Sequence, residues 1–353
     1  MPTVAQIHGM LLEEALLHLL RFSGYKPVTS HGADPTLRQG TAGLEVMGRG
    51  EHHQIDAIAD FTIPQPFVNP ARLLIEAKFK DSAVGIEIVR NAVGVLKDVS
   101  EYWVTPAPAG RGRAAARPRQ QPRYHYQYAL LASSGFTENA QRYAVAHDVY
   151  LIPFERTGFF QPVMAAIRAC VPNDGAVDRR RGVEMDIALS ELRTRVRESL
   201  AHGGQINVDG AGDAALSAAL ATAIDAIRRV EYAVLAVALG RVPLVLTPAP
   251  DVNIRDVDGV VRVRIYWDAD SWYLRRVGAD GREEDLFSFD VPETLLAQYI
   301  DQHELSPRRA FDLKQEALSE IQALLVRDGQ ARLVRFVLDG EWLEQLKERL
   351  ARD

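Results

Sequence analysis

Two apolar, β-branched runs of this chain carry ionisable side chains where a buried strand would normally carry none. Gln54-Ile55-Asp56 opens one run that continues to Ile63, and Leu74-Ile75-Glu76-Ala77-Lys78 lies in another that spans Arg72 to Lys80. A carboxylate inside a strand is costly to desolvate unless a metal ion or a counter-charge compensates it. Asp56 and Glu76 stand 20 residues apart, with Lys78 two residues after Glu76. Side chains alternate along a strand with period two, so Glu76 and Lys78 share a face. If the two strands pair as a hairpin, the three groups converge.

Such a convergence suits phosphodiester hydrolysis. That reaction needs an activated water, an in-line approach and neutralisation of charge on phosphorus, and a hard cation such as Mg²⁺ can supply all three. Asp56 and Glu76 would ligate the cation and the Ala77 carbonyl could add a ligand. Lys78 could orient or deprotonate the water and stabilise the transition state. Gln54, on the face of Asp56, holds a water or a phosphate, or else satisfies a backbone group. A structural salt-bridge network is the bland alternative for the whole set.

With 353 residues the chain has room for two units, each with its own core. A single cysteine, Cys170, rules out an intrachain disulfide and a cysteine-held zinc cluster, and fits a reducing cytoplasm. The opening residues lack a basic leader, and Glu13, Glu14 and His18 interrupt Leu11 to Leu20, so this segment reads as a helix rather than a signal peptide. Tyr232 to Leu246 is apolar but short and contains Arg241, so no membrane span is expected. Charge is uneven: Met1 to Cys170 holds 17 Lys and Arg against 15 Asp and Glu, and the remainder holds 24 against 32. A polyanion would be met by local patches of the first half.

The pattern predicts a helix over 4–23 ended by Gly24, a loop over 26–43, strands at 44–47, 54–63 and 72–80, and a helix over 85–99. A strand at 126–132, a helix over 137–147 capped by Thr137 and a strand at 149–153 follow, which makes an α/β layer around one central sheet. Residues 171–182 read as a linker between a first unit, 1–170, and an α+β accessory unit, 183–353. In the second unit we expect helices over 184–201, 214–229, 307–326 and 340–352, with hairpins between 231 and 290.

In this order of elements, Asp56 followed by Glu76-Ala77-Lys78 resembles the PD-(D/E)xK nuclease motif, and the surrounding text resembles the Mrr-type restriction endonuclease branch. Supporting pieces are Gly48-Arg49-Gly50 through Asp56, Leu74 through Phe79, and Ser133-Ser134-Gly135-Phe136-Thr137 leading through Ala140 and Ala144 to Val149-Tyr150-Leu151-Ile152. The resemblance spans Val4 to Pro153. It departs from the family where Gln54-Ile55 replaces the proline before Asp56, and where Glu76 stands in place of a frequent glutamine. It implies a restriction-endonuclease-like central mixed sheet flanked by helices, Mg²⁺ (or Mn²⁺) as cofactor, DNA as substrate, and a role in restriction or defence against foreign DNA. It also implies that Glu13, on the first helix and eleven residues before Gly24-Tyr25, joins the metal site. An amphipathic helix whose glutamate reaches solvent is the other reading of Glu13.

Candidate DNA contacts are Lys80, which equally reads as a solvated edge lysine, and Arg90, which could instead cap the polar side of its helix. Arg111 and Arg113 open a stretch to Arg123 with five arginines, two prolines and no acid, which reads as a solvated insert or as an arm on a nucleic-acid backbone. Trp267 and Trp272 flank a turn and either stack on a base or pack a hairpin. The accessory unit would mediate self-association or bind a partner protein, and a homodimer would supply the two sites that cutting both strands needs. Two rival readings stay open: a structure-selective repair or recombination nuclease, and a non-catalytic DNA- or protein-binding module.

Overall fold

The computed structural model describes residues 1–40, 43–63, 67–102, 124–154, 158–170, 182–202, 214–239, 242–268, 271–278, 280–296, 299, 305–327 and 330–352. Helix α1 (Val4–Arg21) starts at a capping box, in which Thr3 and Gln6 bond each other's backbone N–H. It stops at Arg21, before Gly24, whose φ of +84° only glycine adopts freely. Short strand β1 (Tyr25–Pro27) overlaps the start of the expected loop, and β2 (Leu37–Gln39) lies inside it. They are three residues each, too short to show a period, and pairing alone holds them extended.

Strand β3 (Leu44–Met47) pairs with β2 on one side and with β4 (His52–Gln54) on the other in a separate three-stranded antiparallel sheet. The expected strand over 54–63 is in fact two. Ile55 still donates to Leu44 O in the small sheet (3.2 Å), the chain bends at Asp56, and β5 (Ala57–Phe61) joins the central sheet. Asp56 therefore sits where the chain passes from one sheet to the other, and the regular alternation expected between Gln54 and Asp56 is broken.

β6 (Ala71–Lys78), α2 (Ile86–Ser100), β7 (His125–Ala132), α3 (Glu138–Ala146) and β8 (Val149–Pro153) complete the layer. Thr137 caps α3, accepting from Ala140 N. The central sheet runs β1-β5-β6-β7-β8, antiparallel through β6 and parallel beyond it, so it is a mixed sheet in an α/β unit. Alternation decides its two faces. Leu73, Ile75, Ala129 and Leu131 pack with α1, whereas Leu74, Tyr128 and Leu130 pack with Val89, Ala92 and Ala140 of α2 and α3.

Helices α4 (Gln161–Arg168), α5 (Leu189–His202) and α6 (Ala214–Arg228) thicken the α1 side. This moves the division between units. Of the expected linker only Gly182 is described, and α5 and α6, expected in the accessory unit, build the first core. Their apolar stripes explain it: Leu192, Val196 and Leu200, and Leu216, Leu220 and Ile224, join the cluster of α1.

The rest is a closed seven-stranded barrel, a more specific arrangement than the expected hairpins. It comprises β9 (Val234–Ala238), β10 (Val242–Pro248), β11 (Gly259–Asp268), β12 (Ser271–Val277) and β13 (Glu283–Phe289), then, after α7 (Glu293–Leu296) and α8 (Pro307–Glu316), β14 (Glu320–Arg327) and β15 (Gln330–Leu338). All of its neighbours are antiparallel except β11 and β15. The helix expected over 307–326 ends at Glu316, because Ile321, Ala323 and Leu325 alternate into the barrel core. α9 (Gly340–Leu350) closes the described chain, with Asp339 accepting from Trp342 N. Trp267 and Trp272 face each other across β11 and β12 with ring centroids 6.1 Å apart, the hairpin-packing arrangement.

Barrel and central sheet meet at the end of α1. Val326 N and Arg327 Nη1 donate to Phe22 O, and Arg327 Nη2 donates to Glu231 O. A Cβ on Gly24 would stand 2.2 Å from Leu324 Cδ2, so a larger residue here would have to push aside the end of the Leu324 side chain. No helix among the described residues is long and apolar enough to cross a membrane.

Candidate functional site

The first residues of β5 pair with the last of β6, Ala57 opposite Ile75, which places Asp56 beside Glu76, Ala77 and Lys78. Asp56 Oδ2 accepts from Ala77 N at 2.9 Å. On the α2 side of the sheet, Lys78 Nζ lies 2.6 Å from Glu76 Oε1, and Tyr128 on the adjacent β7 donates its hydroxyl to Glu76 Oε2 at 3.0 Å. On the α1 side, Glu13 Oε2 lies 2.8 Å from Arg193 Nη2 of α5. Asp56 stands between these two ion pairs and feels the charges of both.

Two of the acids, Asp56 and Glu13, are under-compensated. Burial pushes Asp56 above the usual carboxylate range, and the charge of Glu76 adds to it; the Ala77 N–H and Lys78 only partly offset this. Burial likewise pushes Glu13 up to about 7, against the pull of Arg193 and with added repulsion from Asp56 and Glu14. Burial and the Glu76 charge also raise Tyr128, which keeps its proton and acts as a donor.

A cleft of about 410 Å³ opens between α1, α5 and the small sheet, and Glu13, Gln54, Asp56, Arg193 and Arg197 line it. Glu76, Ala77 and Lys78 reach it through Asp56 rather than lining it. Gln54 is exposed at the end of β4. Lys80 lies exposed beyond β6, with its N–H on Ser133 Oγ, and exposed Arg90 lies 3.4 Å from Glu87; neither lines the cleft. Arg111 and Arg113 lie outside the described residues.

The donors fit a hard cation in kind: three carboxylates and a backbone carbonyl, all oxygen. Among the described residues no three His, Cys, Asp or Glu side chains form a ready cation cage, because Glu76 and Glu13 are turned to Lys78 and Arg193.

Four residues here escape a reading confined to the motif: Glu14, Tyr128, Arg193 and Arg197. Glu14 is buried and takes Arg197 Nε at 2.9 Å on both of its oxygens. One signal was visible. Arg193 and Arg197 are four residues apart and share a helix face, as a pair meant for adjacent carboxylates on another helix would. Tyr128 carries no signal of its own, since an aromatic residue mid-strand reads as core.

No family model matches the chain, and no curated protein matches it. A solved structure described as a protein of unknown function, AF1548, is similar at 16% identity with a TM-score of 0.30, covering 64% of this chain and 98% of that one.

Proposed function

We propose that this protein is a metal-dependent DNA endonuclease that hydrolyses phosphodiester bonds, with restriction or defence against foreign DNA as its context. The observation that carries the reading is the convergence of Asp56, Glu76 and Lys78 at one end of the β5–β6 pair, where burial pushes the Asp56 carboxyl above its ordinary range and the groups around it only partly offset this. The mixed sheet with helices on both faces is the kind of frame on which a restriction-endonuclease-like site is carried.

Asp56, Glu76, the Ala77 carbonyl and Glu13 would hold Mg²⁺ or Mn²⁺. A bound cation of this type activates a water and neutralises charge on phosphorus. Within this reading, Lys78 carries positive charge toward the phosphate and the water, and the Ala77 N–H and Tyr128 fix the carboxylates of Asp56 and Glu76 in place. In this reading one strand of the phosphodiester backbone would enter the cleft beside Asp56, which Glu13, Arg193 and Arg197 also line. A second copy of the chain, or a partner protein on the barrel, would supply the other cut of a duplex.

Incubation with supercoiled and linear DNA in Mg²⁺, Mn²⁺ or EDTA tests this. Cleavage with either metal, none in EDTA, and a loss of roughly a thousandfold in rate for Asp56→Ala and for Lys78→Ala are expected. No cleavage with any metal, or undiminished cleavage by both variants, overturns the assignment.

A further inference from the structure

Helix α5 lies outside the segment that carries the nuclease-like motif, yet it brings two arginines to the same cleft, and they are held differently. Arg197 is committed. Its Nε lies 2.9 Å from both oxygens of Glu14 and its Nη2 2.8 Å from Oε1, against a carboxylate only 2% exposed. That fork is sufficient to clamp α5 onto α1. Arg193, one turn earlier, duplicates the clamp badly. Nη2 reaches Glu13 at 2.8 Å, Nε stands 3.9 Å from Glu14, and Nη1 has no partner among the described residues. Its side chain keeps 27% of its exposure and lines the cleft beside Asp56.

A guanidinium with spare in-plane donors, pre-positioned by a neighbouring clamp next to acids that a cation would occupy, is arranged to meet an anion. The anion that reaches a hard-cation site in a nuclease is a phosphate of the cleaved strand. We propose that Arg193 is the phosphate-binding residue of this cleft, supplied by α5 and donating to a non-bridging phosphate oxygen of the DNA strand. The identity of that anion rests on the nuclease reading above. Ser190 and Thr194, on the same stretch of α5, also line the cleft; the Thr194 hydroxyl donates to Ser190 O at 3.0 Å, which leaves the Ser190 hydroxyl as the donor beside Arg193.

Binding of a fluorescein-labelled DNA oligonucleotide, followed by anisotropy in EDTA at several salt concentrations, separates this role from turnover. Arg193→Gln should weaken binding about tenfold and reduce the slope of log affinity against log salt by about one. Arg195→Gln removes the same charge from a residue that pairs with Glu191 and does not line the cleft, and should bind as the wild type does. Equal affinity and slope for Arg193→Gln and Arg195→Gln overturn the proposal, as does a wild type that binds no DNA. Should Arg193→Gln fail to fold, Arg193→Lys decides. Affinity weakened several-fold with the salt slope kept supports the fork, and unchanged affinity overturns it. The two readings fail separately. Wild type that binds but never cleaves with metal removes the nuclease and leaves Arg193 standing; wild type that cleaves, with Arg193→Gln binding equally well, removes Arg193 alone.

Discussion

Strands β5 and β6 carry buried charge at both ends, and the two ends treat it in opposite ways. At one end Arg72, 1% exposed, donates through Nε and Nη2 to Asp60, through Nη2 to Asp34 and through Nη1 to Thr36, and lies 3.6 Å from the centroid of the Tyr124 ring. Burial would raise Asp34, but hydrogen bonds from Thr36 and Arg72 outweigh it and hold the carboxyl below its ordinary range. Burial alone would lower Arg72, and Asp60 and Asp34 raise it instead. At the other end, burial of the same order leaves Asp56 and Glu13 raised. The first end is a latch of closely matched charge; at the second the ion pairs with Lys78 and Arg193 do not offset the burial of Asp56 and Glu13, and there we place the proposed metal site. The first end ties the loop before β2 to the central sheet, and the second is where chemistry is expected.

If that contrast is right, the latch should fail hardest when broken. Arg72→Leu leaves the part-buried Asp60 carboxylate without its counter-charge and Asp34 with only the Thr36 and Tyr124 hydrogen bonds, and should cost about 3 kcal/mol in denaturant unfolding. A loss below about 1 kcal/mol would mean the two ends are energetically alike.

The site end should behave the other way. A carboxyl whose folded pKa is raised keeps its proton in the folded chain where the unfolded chain has lost it. Stability therefore falls as pH rises through the window from 4.5 to about 7 set by Glu13, and stays lowered above it. Glu13→Gln should remove that slope and make the protein more stable than wild type at about pH 8, by up to roughly 3 kcal/mol less what Arg193 loses with its partner. Chemical unfolding at several pH values reads it, and a variant less stable than wild type at alkaline pH contradicts the picture.

Much of this site could be read from residues close together in the chain. Glu76 and Lys78 share a strand face by spacing alone, and the Thr137 cap and the apolar stripe of α2 follow from local pattern. What escaped depends on partners far away in sequence. The bend at Ile55–Asp56 exists because two different sheets claim the flanking residues. Leu, Ala and Gln are good helix formers, so Glu320 to Arg327 reads as helix until β9 and β15 pair with it. The same distance hid Arg193 from Glu13, and α5 from the core it completes.

Thermal unfolding at about pH 8 asks most directly whether the Asp56 end binds a divalent cation. With Mg²⁺ at about 10 mM and a dissociation constant of about 1 mM, wild type should gain about 1.4 kcal/mol. That corresponds to a Tm rise of about 2 °C, which Asp56→Ala should lack and Arg72→Leu, measured from its own lower baseline, should keep. No shift in wild type, or the same shift in Asp56→Ala, would contradict the assignment of this end to metal binding.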